Sequence, residues 1–347
     1  MAPGTVTLRD VAHAAGVHPS TASRALNTET RAMVNPETVK RVLHAAKRLG
    51  YLPNSLARGL KLNRTFTVGM LIPDLTNPLF PPIVRGIEDR LMRAGYTVIL
   101  ANTDNDPDKE ASLFSGMWWR RVDGLILATA RREYPLLDVL LARDLPVVLI
   151  NRTVDEPSVS AVTGDDHAGI GLAVRHLVRL GHRRIAHVAG PQTASTGLSR
   201  YQSFVSWMQS EGLDIDTELI VFSDWFQEEP GRAACRELLA RGVDFTAVVA
   251  ANDLIAMGCY DELAAARLAI PDDVSVVGYN DIAMCDKLSP PLTTIRLPNY
   301  QIGVKSAELL LQAIDEPDGT PVTLRLAPKL IERSSTAAPS SVGSRSA

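Results

Sequence analysis

A short polar stretch near the start of the chain, HPSTASRALN at residues 18–27, carries side chains suited to contacts with a nucleic acid. Hydroxyl groups and a helix N-terminus bind phosphate, and an arginine fork matches the O6 and N7 atoms of guanine. The alternative is that Ser20 and Thr21 only cap a helix and that Arg24 is a solvated surface charge. The side chains assigned to DNA on this basis are Pro19, Ser20, Thr21, Ser23 and Arg24.

A second set of polar side chains follows apolar runs in the rest of the chain. Ligands of α/β proteins bind beyond the carboxyl ends of parallel strands, so such positions predict a ligand cleft. Amide, carboxylate and guanidinium groups suit a hydroxyl-rich ligand, and Trp225 offers a flat face for a sugar ring or a base. Each residue alone could instead be a helix cap or a turn former. The set comprises Asp74, Asp104, Thr129, Asn151, Arg152, Asp224, Trp225, Asn252, Asp253, Asn280 and Asp281.

Motifs of catalysis are missing from the sequence. No apolar run is followed by G-x-G-x-x-G, and GIGLAV at residues 169–174 lacks the third glycine and lies within a helical pattern. The phosphate-binding loop, the G-x-S-x-G elbow and H-E-x-x-H are also missing. We therefore predict that the protein is not an enzyme, although a doubly wound pattern would suit a dehydrogenase. An exported solute-binding protein is the other alternative.

Length and composition limit the class of protein. A chain of 347 residues that is 46% hydrophobic can form two or three domains. No apolar run approaches the roughly 18 to 20 residues of a membrane span, and MAPGTVTLRD does not resemble a signal peptide. We expect a cytoplasmic protein without membrane contact. Its three separated cysteines predict buried small side chains rather than disulfides or zinc ligands, and no cofactor is expected.

The net charge of -3 is unevenly distributed. Residues 1–64 contain ten Lys and Arg against three Asp and Glu, a balance of +7, which leaves -10 for residues 65–347. A basic block could be only a solvated surface. Beside an acidic remainder, however, it is typical of nucleic-acid binding.

Helix signals divide the basic block into three short helices. Thr7 begins the first helix and Gly16 ends it, Pro19 begins the second, and a third runs from Asn35-Pro36 to Gly50. The turn between the first two is short enough for a helix-turn-helix. We predict an all-α, three-helix DNA-binding unit over residues 1–52.

Apolar runs of five to eight residues alternate with amphipathic stretches beyond residue 65. Such runs are typical of buried parallel strands in a doubly wound α/β fold. One sheet rarely holds so many strands, so residues 65–335 should form two lobes with a cleft between them. The runs are TVGMLIPD, YTVILANTD, GLILATA, PVVLINR, RRIAHVAG, LIVFSD, AVVAAND and VSVVGYND.

The segments TLRDVAHAAGV, STASRALN and TRAMVNPETVKRVLHAAKRLGYLPNSLARGLK resemble the DNA-binding headpiece of the LacI family of transcription factors, over residues 7–62. The resemblance implies that Pro19 and Ser20 vary with operator sequence and that Arg24 reads a base. It also implies a hinge helix and linker over residues 53–64. The implied DNA contacts are Thr7, His18, Pro19, Ser20, Thr21, Ser23, Arg24, Asn27, Asn54, Ala57, Leu60 and Lys61. His18 stands where the family most often has a Ser helix cap, so cap and DNA contact both stay open.

The hinge sequence NSLARGLK, residues 54–61, is too short for a stable isolated helix, and Gly59 weakens it further. We expect it to be ordered only on DNA. Leu60 matches the family's minor-groove wedge, and such a wedge kinks the duplex at a cost of a few kcal/mol. The alternative is that Leu56 and Leu60 pack on the next domain.

The resemblance continues through GHRRIAHVAGP, AVVAANDLIAMG and VSVVGYNDIAMCDKLSPPLTTI. It implies a two-lobed, periplasmic-binding-protein-like effector domain with crossovers near residues 163, 292 and 327. The N-lobe would then comprise about residues 65–163 and 293–326, and the C-lobe about residues 164–292 and 327–335. Arg200 would clamp ligand oxygens, or else be an ordinary surface arginine, and Asn280 replaces a frequent Asp. The implied effector contacts are Asp74, Phe80, Asn151, Arg200, Trp225, Asn252 and Asn280.

The C-terminal stretch SSTAAPSSVGSRSA, from Ser334, predicts disorder and contains no leucine heptads. The disordered C-terminal tail, which lies beyond the C-lobe, is assigned to residues 336–347. We expect a homodimer on a palindromic operator rather than a tetramer. The sequence thus predicts a DNA-binding regulator, a repressor, that responds to a small-molecule effector. A sugar or sugar derivative is the leading effector class, with a purine or another small metabolite as the alternative.

Overall fold

The computed structural model describes residues 6–27, 30–51, 64–156 and 158–340. The chain divides into two compact units, residues 1–65 and 66–347. Within the described ranges, no helix combines the length and the apolar character needed to cross a membrane.

The first unit is a bundle of three helices, α1 (Leu8–Ala15), α2 (Pro19–Leu26) and α3 (Pro36–Leu49), with a 3-10 turn at Arg31–Met33. Gly16 ends α1 with a φ of 63°, a left-handed conformation that glycine adopts without strain. Asn35 caps α3 by accepting a hydrogen bond from Glu37 N at 2.9 Å. The bundle closes on small buried side chains: Val11, Ala12, Ala15, Ala22, Ala25, Val39, Val42, Ala45 and Ala46.

The second unit alternates strands and helices. Its first half contains β1 (Thr67–Ile72), α4 (Phe80–Arg93), β2 (Thr97–Asn102), α5 (Pro107–Trp119), β3 (Gly124–Leu127), α6 (Pro135–Leu141), β4 (Val147–Ile150), β5 (Ser160–Gly164), α7 (Asp166–Arg179) and β6 (Ile185–Ala189). The remainder contains α8 (Ser195–Ser210), β7 (Ile220–Phe222), α9 (Glu228–Ala240), β8 (Ala247–Ala250), α10 (Asp253–Ala265), β9 (Ser275–Asn280), β10 (Thr293–Arg296), α11 (Asn299–Asp315), β11 (Thr323–Leu326) and β12 (Lys329–Ile331).

Two six-stranded sheets result, in the orders β11-β5-β4-β3-β1-β2 and β12-β10-β9-β8-β6-β7. All their pairings are parallel except that of β10 with β12, which is antiparallel. In β1, Met70 belongs to the same buried cluster as Ile87 of α4, whereas the next residue, Leu71, belongs to the cluster that contains Phe114 of α5. Helices therefore cover both faces of the first sheet, and the predicted doubly wound fold is confirmed.

The chain passes between the lobes three times, and the second passage differs from the expectation. β10 pairs with β9 in the second sheet, so the return to the first lobe follows Arg296 rather than residue 292. β5 and β11 lie side by side in the first sheet, and β12 returns to the second. Residues 293–296 therefore belong to the C-lobe.

The stretch after Ser334 corrects the expectation of a disordered tail beginning there. Ser335 is fully buried, donates a hydrogen bond to Val276 O at 2.6 Å and accepts one from Thr293 N at 2.8 Å. Ala337 N donates to Ser275 Oγ at 3.0 Å. Serine and threonine here form the hydrogen bonds that complete the second lobe, so their polar composition does not indicate disorder. Residues 341–347 lie outside the described range.

We expect a chain that ends at Ser334 to lose on the order of 3 kcal/mol of unfolding free energy, because buried donors and acceptors of β9 and β10 lose their partners. Denaturant unfolding monitored by circular dichroism measures this change. A chain that ends at Ser340 is the matched control, since it keeps every one of these hydrogen bonds. Equal stability of the two truncated chains would contradict the structural role of the segment.

Candidate functional sites

Helix α2 presents a polar face and a buried face. Ser20, Ser23 and Arg24 are exposed, whereas Ala22 and Ala25 are fully buried in the bundle. The exposed face therefore holds the hydroxyls and the guanidinium that sequence analysis assigns to DNA. The partly buried side chains of Pro19 and Thr21 lie at the margin of that face.

His18 caps α2. Its Nδ1 atom accepts a hydrogen bond from Ser20 N at 3.3 Å and lies 2.8 Å from Ser20 Oγ. Histidine thus performs the task of the serine expected at a helix N-cap. Thr7 caps α1 in the same way and shares a capping box with Asp10. The hydrogen bonds that Thr7 donates to the Asp10 carboxylate lower the pKa of Asp10. Both predicted DNA contacts have a structural task, and contact with DNA stays a prediction.

We expect His18→Ala to destabilise the three-helix unit by about 1 kcal/mol, because Ser20 N loses its acceptor. His18→Ser should retain most of the stability, since its hydroxyl can accept the same bond. Hydrogen exchange of α2 amides in the full chain measures the difference. Equal protection in the alanine and serine variants would show that the cap contributes nothing.

The C-terminal end of α2 is held by two residues outside the predicted DNA contacts. Arg31 Nε donates to Ala25 O at 3.0 Å, and Thr30 Oγ1 donates to Arg24 O at 3.1 Å. These contacts satisfy carbonyls that a helix end leaves without partners. They hold the backbone of Arg24 in place from the following loop.

A cavity between the two lobes brings together five of the seven predicted effector contacts. They are Phe80, Asn151, Arg200, Asn252 and Asn280. Each is at most 7% exposed. The cavity is completed by Asn77, Leu79, Arg152, Thr196 and Phe226.

Arg200 is a buried, paired arginine of α8. Its Nε atom donates to Asp166 Oδ1 at 2.9 Å, its Nη1 atom donates to Ala251 O at 2.7 Å, and its guanidinium lies 4.0 Å from the Tyr279 ring centroid. Burial opposes the charge of Arg200, but the combined effects of Asp166, Tyr279 and Asp253 outweigh it and raise the pKa of Arg200. The side chain is therefore a fixed cation in the cavity wall.

Phe226 lies between the two arginines of the cavity. Its ring centroid is 5.8 Å from the Arg200 guanidinium and 6.0 Å from that of Arg152. Gly190 makes room for the ring, since a Cβ there would come within 2.4 Å of it. The ring supplies an apolar face and weak cation–π attraction to both guanidinium groups.

Two asparagines show that capping and lining the cavity are compatible. Asn252 Oδ1 accepts from Ile255 N at 2.8 Å and so caps α10, while its Nδ2 atom donates to Phe226 O at 3.3 Å. Asn280, with a φ of 111°, has a buried Oδ1 atom for which the described residues provide no hydrogen-bond partner. An unpaired buried acceptor is costly, so Asn280 is suited to a donor group of a ligand.

Hydrogen bonds hold the two lobes together around the cavity. Thr153 N donates to Ser195 Oγ at 2.8 Å, and Arg132 N donates to Thr193 O at 3.0 Å. The cavity volume is only about 20 Å³, which is roughly the space of one water. A ligand the size of a sugar therefore enters only when the lobes separate.

Comparison with known proteins decides the family. Residues 65–332 match the periplasmic binding proteins and sugar-binding domain of the LacI family, and residues 7–54 match the bacterial regulatory proteins of the lacI family. The chain belongs to the LacI family. This family is one of regulatory proteins, so the predictions of a regulator rather than an enzyme, and of the two-part fold, are confirmed.

Similar proteins match nearly the whole length of this LacI-family protein. The ribose operon repressor of Escherichia coli is 34% identical over 330 residues, which cover 95% of this chain and 99% of that protein. A structure of a transcriptional regulator CelR–cellobiose complex is 34% identical, with a TM-score of 0.74 and coverage of 95% and 99% of the two chains. A lac repressor dimer bound to operator and the anti-inducer ONPF is 27% identical, with a TM-score of 0.79 and coverage of 96% and 99%.

Two of the effector contacts implied by the LacI-family resemblance lie outside the cavity lining. Trp225 is 46% exposed and sits in the turn after β7, where its carbonyl accepts from Ser223 Oγ at 2.8 Å. The adjacent Phe226 points into the cavity instead. Asp74 accepts from Thr76 N at 2.8 Å and from Gln227 Nε2 at 3.3 Å, so it forms a turn and an inter-lobe hydrogen bond.

Some strand-end polar residues have structural partners. Asp253 is fully buried, accepts from Ile282 N at 2.9 Å and also binds Thr294; burial raises its pKa to about 7. Asp281 forms ion pairs with Arg296 and Arg333. These two acids stabilise the second lobe.

The remaining predicted DNA contacts lie outside the exposed face of α2 or outside the described residues. Asn27 ends α2, and its N–H donates to Ser23 O at 3.1 Å. Among the residues that the structure describes, no group of three His, Cys, Asp or Glu side chains could hold a metal ion. The hinge assignments lie outside the described residues, namely Asn54, Ala57, Leu60 and Lys61.

Proposed function

We propose that this protein is a transcription repressor that binds a palindromic operator as a homodimer in the cytoplasm. A sugar-class effector in the inter-lobe cavity changes its affinity for the operator. The observation that carries this proposal is the cavity itself, which Asn151, Arg200, Asn252 and Asn280 line together with Phe80 and Phe226. A few fixed polar groups around an apolar face are what a ring bearing several hydroxyls requires.

The relatives support a regulator that responds to a sugar. One is named for the ribose operon, another is a regulator in complex with cellobiose, and a third is a repressor dimer bound to its operator. The basic first unit, with exposed Arg24, Ser20 and Ser23 on α2, fits the DNA-binding half of this activity.

Exposed apolar side chains at corresponding strands of the two sheets favour a dimer. β2 and β7 are each the last strand of their sheet, and they carry Leu100, which is 38% exposed, and Phe222, which is 46% exposed. Exposed apolar groups at sheet edges are suited to a subunit interface. A two-fold dimer matches a palindromic site, because each headpiece then reads one half-site.

Regulation requires that the effector prefer one of two conformations of the cleft. The inter-lobe hydrogen bonds from Thr153 to Ser195 and from Arg132 to Thr193 must break when the cleft opens. A ligand that binds the open and closed forms equally would change nothing. Preference for one form couples the cavity to operator affinity.

Selection of DNA by the full chain from a random duplex pool tests the DNA-binding part of this function. We expect enrichment of a palindrome with two equal half-sites. The half-sites should be separated by a whole number of helical turns, about 10 base pairs each. Enrichment of no sequence, or of a single asymmetric site, would contradict a homodimeric operator-binding regulator.

A further inference from the structure

Arg152 is a second arginine in the cavity, and its position is fixed by the backbone. It is the second residue after β4, following Asn151, which has a φ of 62°, and its N–H donates to Ile150 O at 2.6 Å. This sharp turn at the carboxyl end of the strand directs the chain into the cleft, where Arg152 joins the lining beside Phe226.

The guanidinium of Arg152 lacks the partners that Arg200 has. Its Nε atom is closed off from solvent, and residues 64–156 and 158–340 provide no hydrogen-bond acceptor for it. None of the ion pairs in these ranges includes Arg152. Glu110, whose charge acts on Arg152, accepts a hydrogen bond from the Tyr134 hydroxyl instead. An isolated donor on a charged group is costly to bury, and this cost favours a ligand acceptor at this point.

The charge balance of the cavity is positive. The described lining contains two arginines, four asparagines and no carboxylate. Asp166, which is not part of that lining, forms an ion pair with Arg200. Burial, with the nearby charges of Arg131 and Arg200, lowers the pKa of Arg152 to about 10, so it still carries its charge at neutral pH. Within the described lining no carboxylate pairs with Arg152, so its guanidinium is available to an anionic ligand.

We infer that the effector is a sugar-sized polyol with an anionic group, a phosphate or a carboxylate, and that Arg152 binds this group. The inference rests on the proposed function of the cavity and specifies the chemical class of its ligand. A guanidinium fork binds either oxyanion in bidentate fashion, and such charge-assisted bonds are shorter and stronger than those to a hydroxyl. Asn151, Asn252 and Asn280 remain for the hydroxyl groups.

Isothermal titration of the full chain with matched ligands tests this inference. One set contains ribose, ribose 5-phosphate and ribonate, a second contains glucose, glucose 6-phosphate and gluconate, and inorganic phosphate is titrated alone. We expect the phosphate or the carboxylate member of one set to bind at least roughly 10-fold more tightly than its neutral parent. The identity of the tighter-binding member shows whether the site takes a phosphate or a carboxylate. Added salt should weaken the anionic ligand more than the neutral one.

Variants of Arg152 separate an ionic contact from a general effect on the cavity. Arg152→Gln should weaken the anionic ligand on the order of 10- to 100-fold and change the neutral parent by no more than about twofold. Arg152→Lys should restore part of the loss, because it keeps the charge without the fork. Arg267→Gln, at an exposed arginine, is the control for charge and should leave both affinities unchanged.

Three results would overturn the inference. Neutral sugars could bind as tightly as their anionic derivatives, Arg152→Gln could weaken both classes equally, or no anionic member could bind. Operator binding by the same preparations separates this failure from failure of the proposed function. A protein that binds its operator and responds to a neutral sugar refutes only the anionic effector, whereas one that selects no DNA refutes the regulator.

Discussion

Arg24→Ala is expected to cost about 1 to 3 kcal/mol of operator binding at each half-site and to relax selection at one base pair. Arg24 is exposed on the polar face of α2, and its backbone carbonyl is held by Thr30. Removal of its fork leaves the guanine acceptors of that base pair without a donor. Titration of the selected duplex and of a duplex changed at one base pair measures both effects.

A matched substitution on another helix shows whether the effect of Arg24 is specific. Arg41 is also exposed and lies on α3, so Arg41→Ala removes the same charge from the same unit. We expect Arg41→Ala to weaken binding of the selected and the altered duplex alike. The affinity of this variant for DNA should depend less on salt concentration than that of the unsubstituted protein. If Arg24→Ala behaved in the same way, Arg24 would be a phosphate contact and not a reader of sequence.

Arg200→Met is expected to destabilise the second unit by about 3 to 5 kcal/mol and to abolish the response to effector. Arg200 is 3% exposed and its partner Asp166 is 9% exposed. The substitution therefore leaves a buried carboxylate without its counter-charge. The methionine approximates the length of the lost side chain, so most of the cost is electrostatic. Denaturant unfolding measures the loss.

The double variant Arg200→Met with Asp166→Asn isolates this interaction. We expect it to recover about 1 to 3 kcal/mol relative to Arg200→Met alone, because no unpaired charge remains. It should still fail to respond to effector, since the proposed contact of Arg200 with ligand oxygens is gone. A double variant no more stable than the single one would show that Arg200 acts through packing and not through its charge.

Local signals in the sequence were sufficient for the three-helix unit. Thr7, Gly16, Pro19 and Asn35 begin or end helices where the sequence predicts, because caps act within one turn of the chain. The eight apolar runs likewise correspond to strands. Six of them, β1, β3, β4, β6, β8 and β9, are almost entirely buried and so have little room for polar side chains, whereas β2 and β7 lie at sheet edges and are partly exposed.

Four further strands were missed because they are short and carry polar side chains. They are β5 with SAVTG, β10 with TTIR, β11 with TLRL and β12 with KLI. The unrecognised β10 explains the misplaced crossover near residue 292. Without β5, the start of α7 at Asp166 could not be recognised as a strand end, so the partner of Arg200 was missed.

Contacts between distant parts of the chain account for the other differences at the site. Whether Trp225 or Phe226 points into the cavity depends on the turn after β7 and on the space at Gly190, which local sequence does not specify. Burial of Ser335 depends on acceptors and donors in β9 and β10. Arg152 could be found at a strand end, but its lack of a partner is visible only in three dimensions.

Operator affinity measured while the ligand is titrated tests the central claim most directly. The full chain, the selected palindromic duplex and the ligand that binds the cavity most tightly are sufficient for this experiment. Coupling between the sites predicts that saturating ligand changes operator affinity by roughly 5- to 150-fold, and that the Arg200→Met, Asp166→Asn protein shows no change. An operator affinity that stays constant while ligand fills the cavity would contradict an effector-controlled repressor.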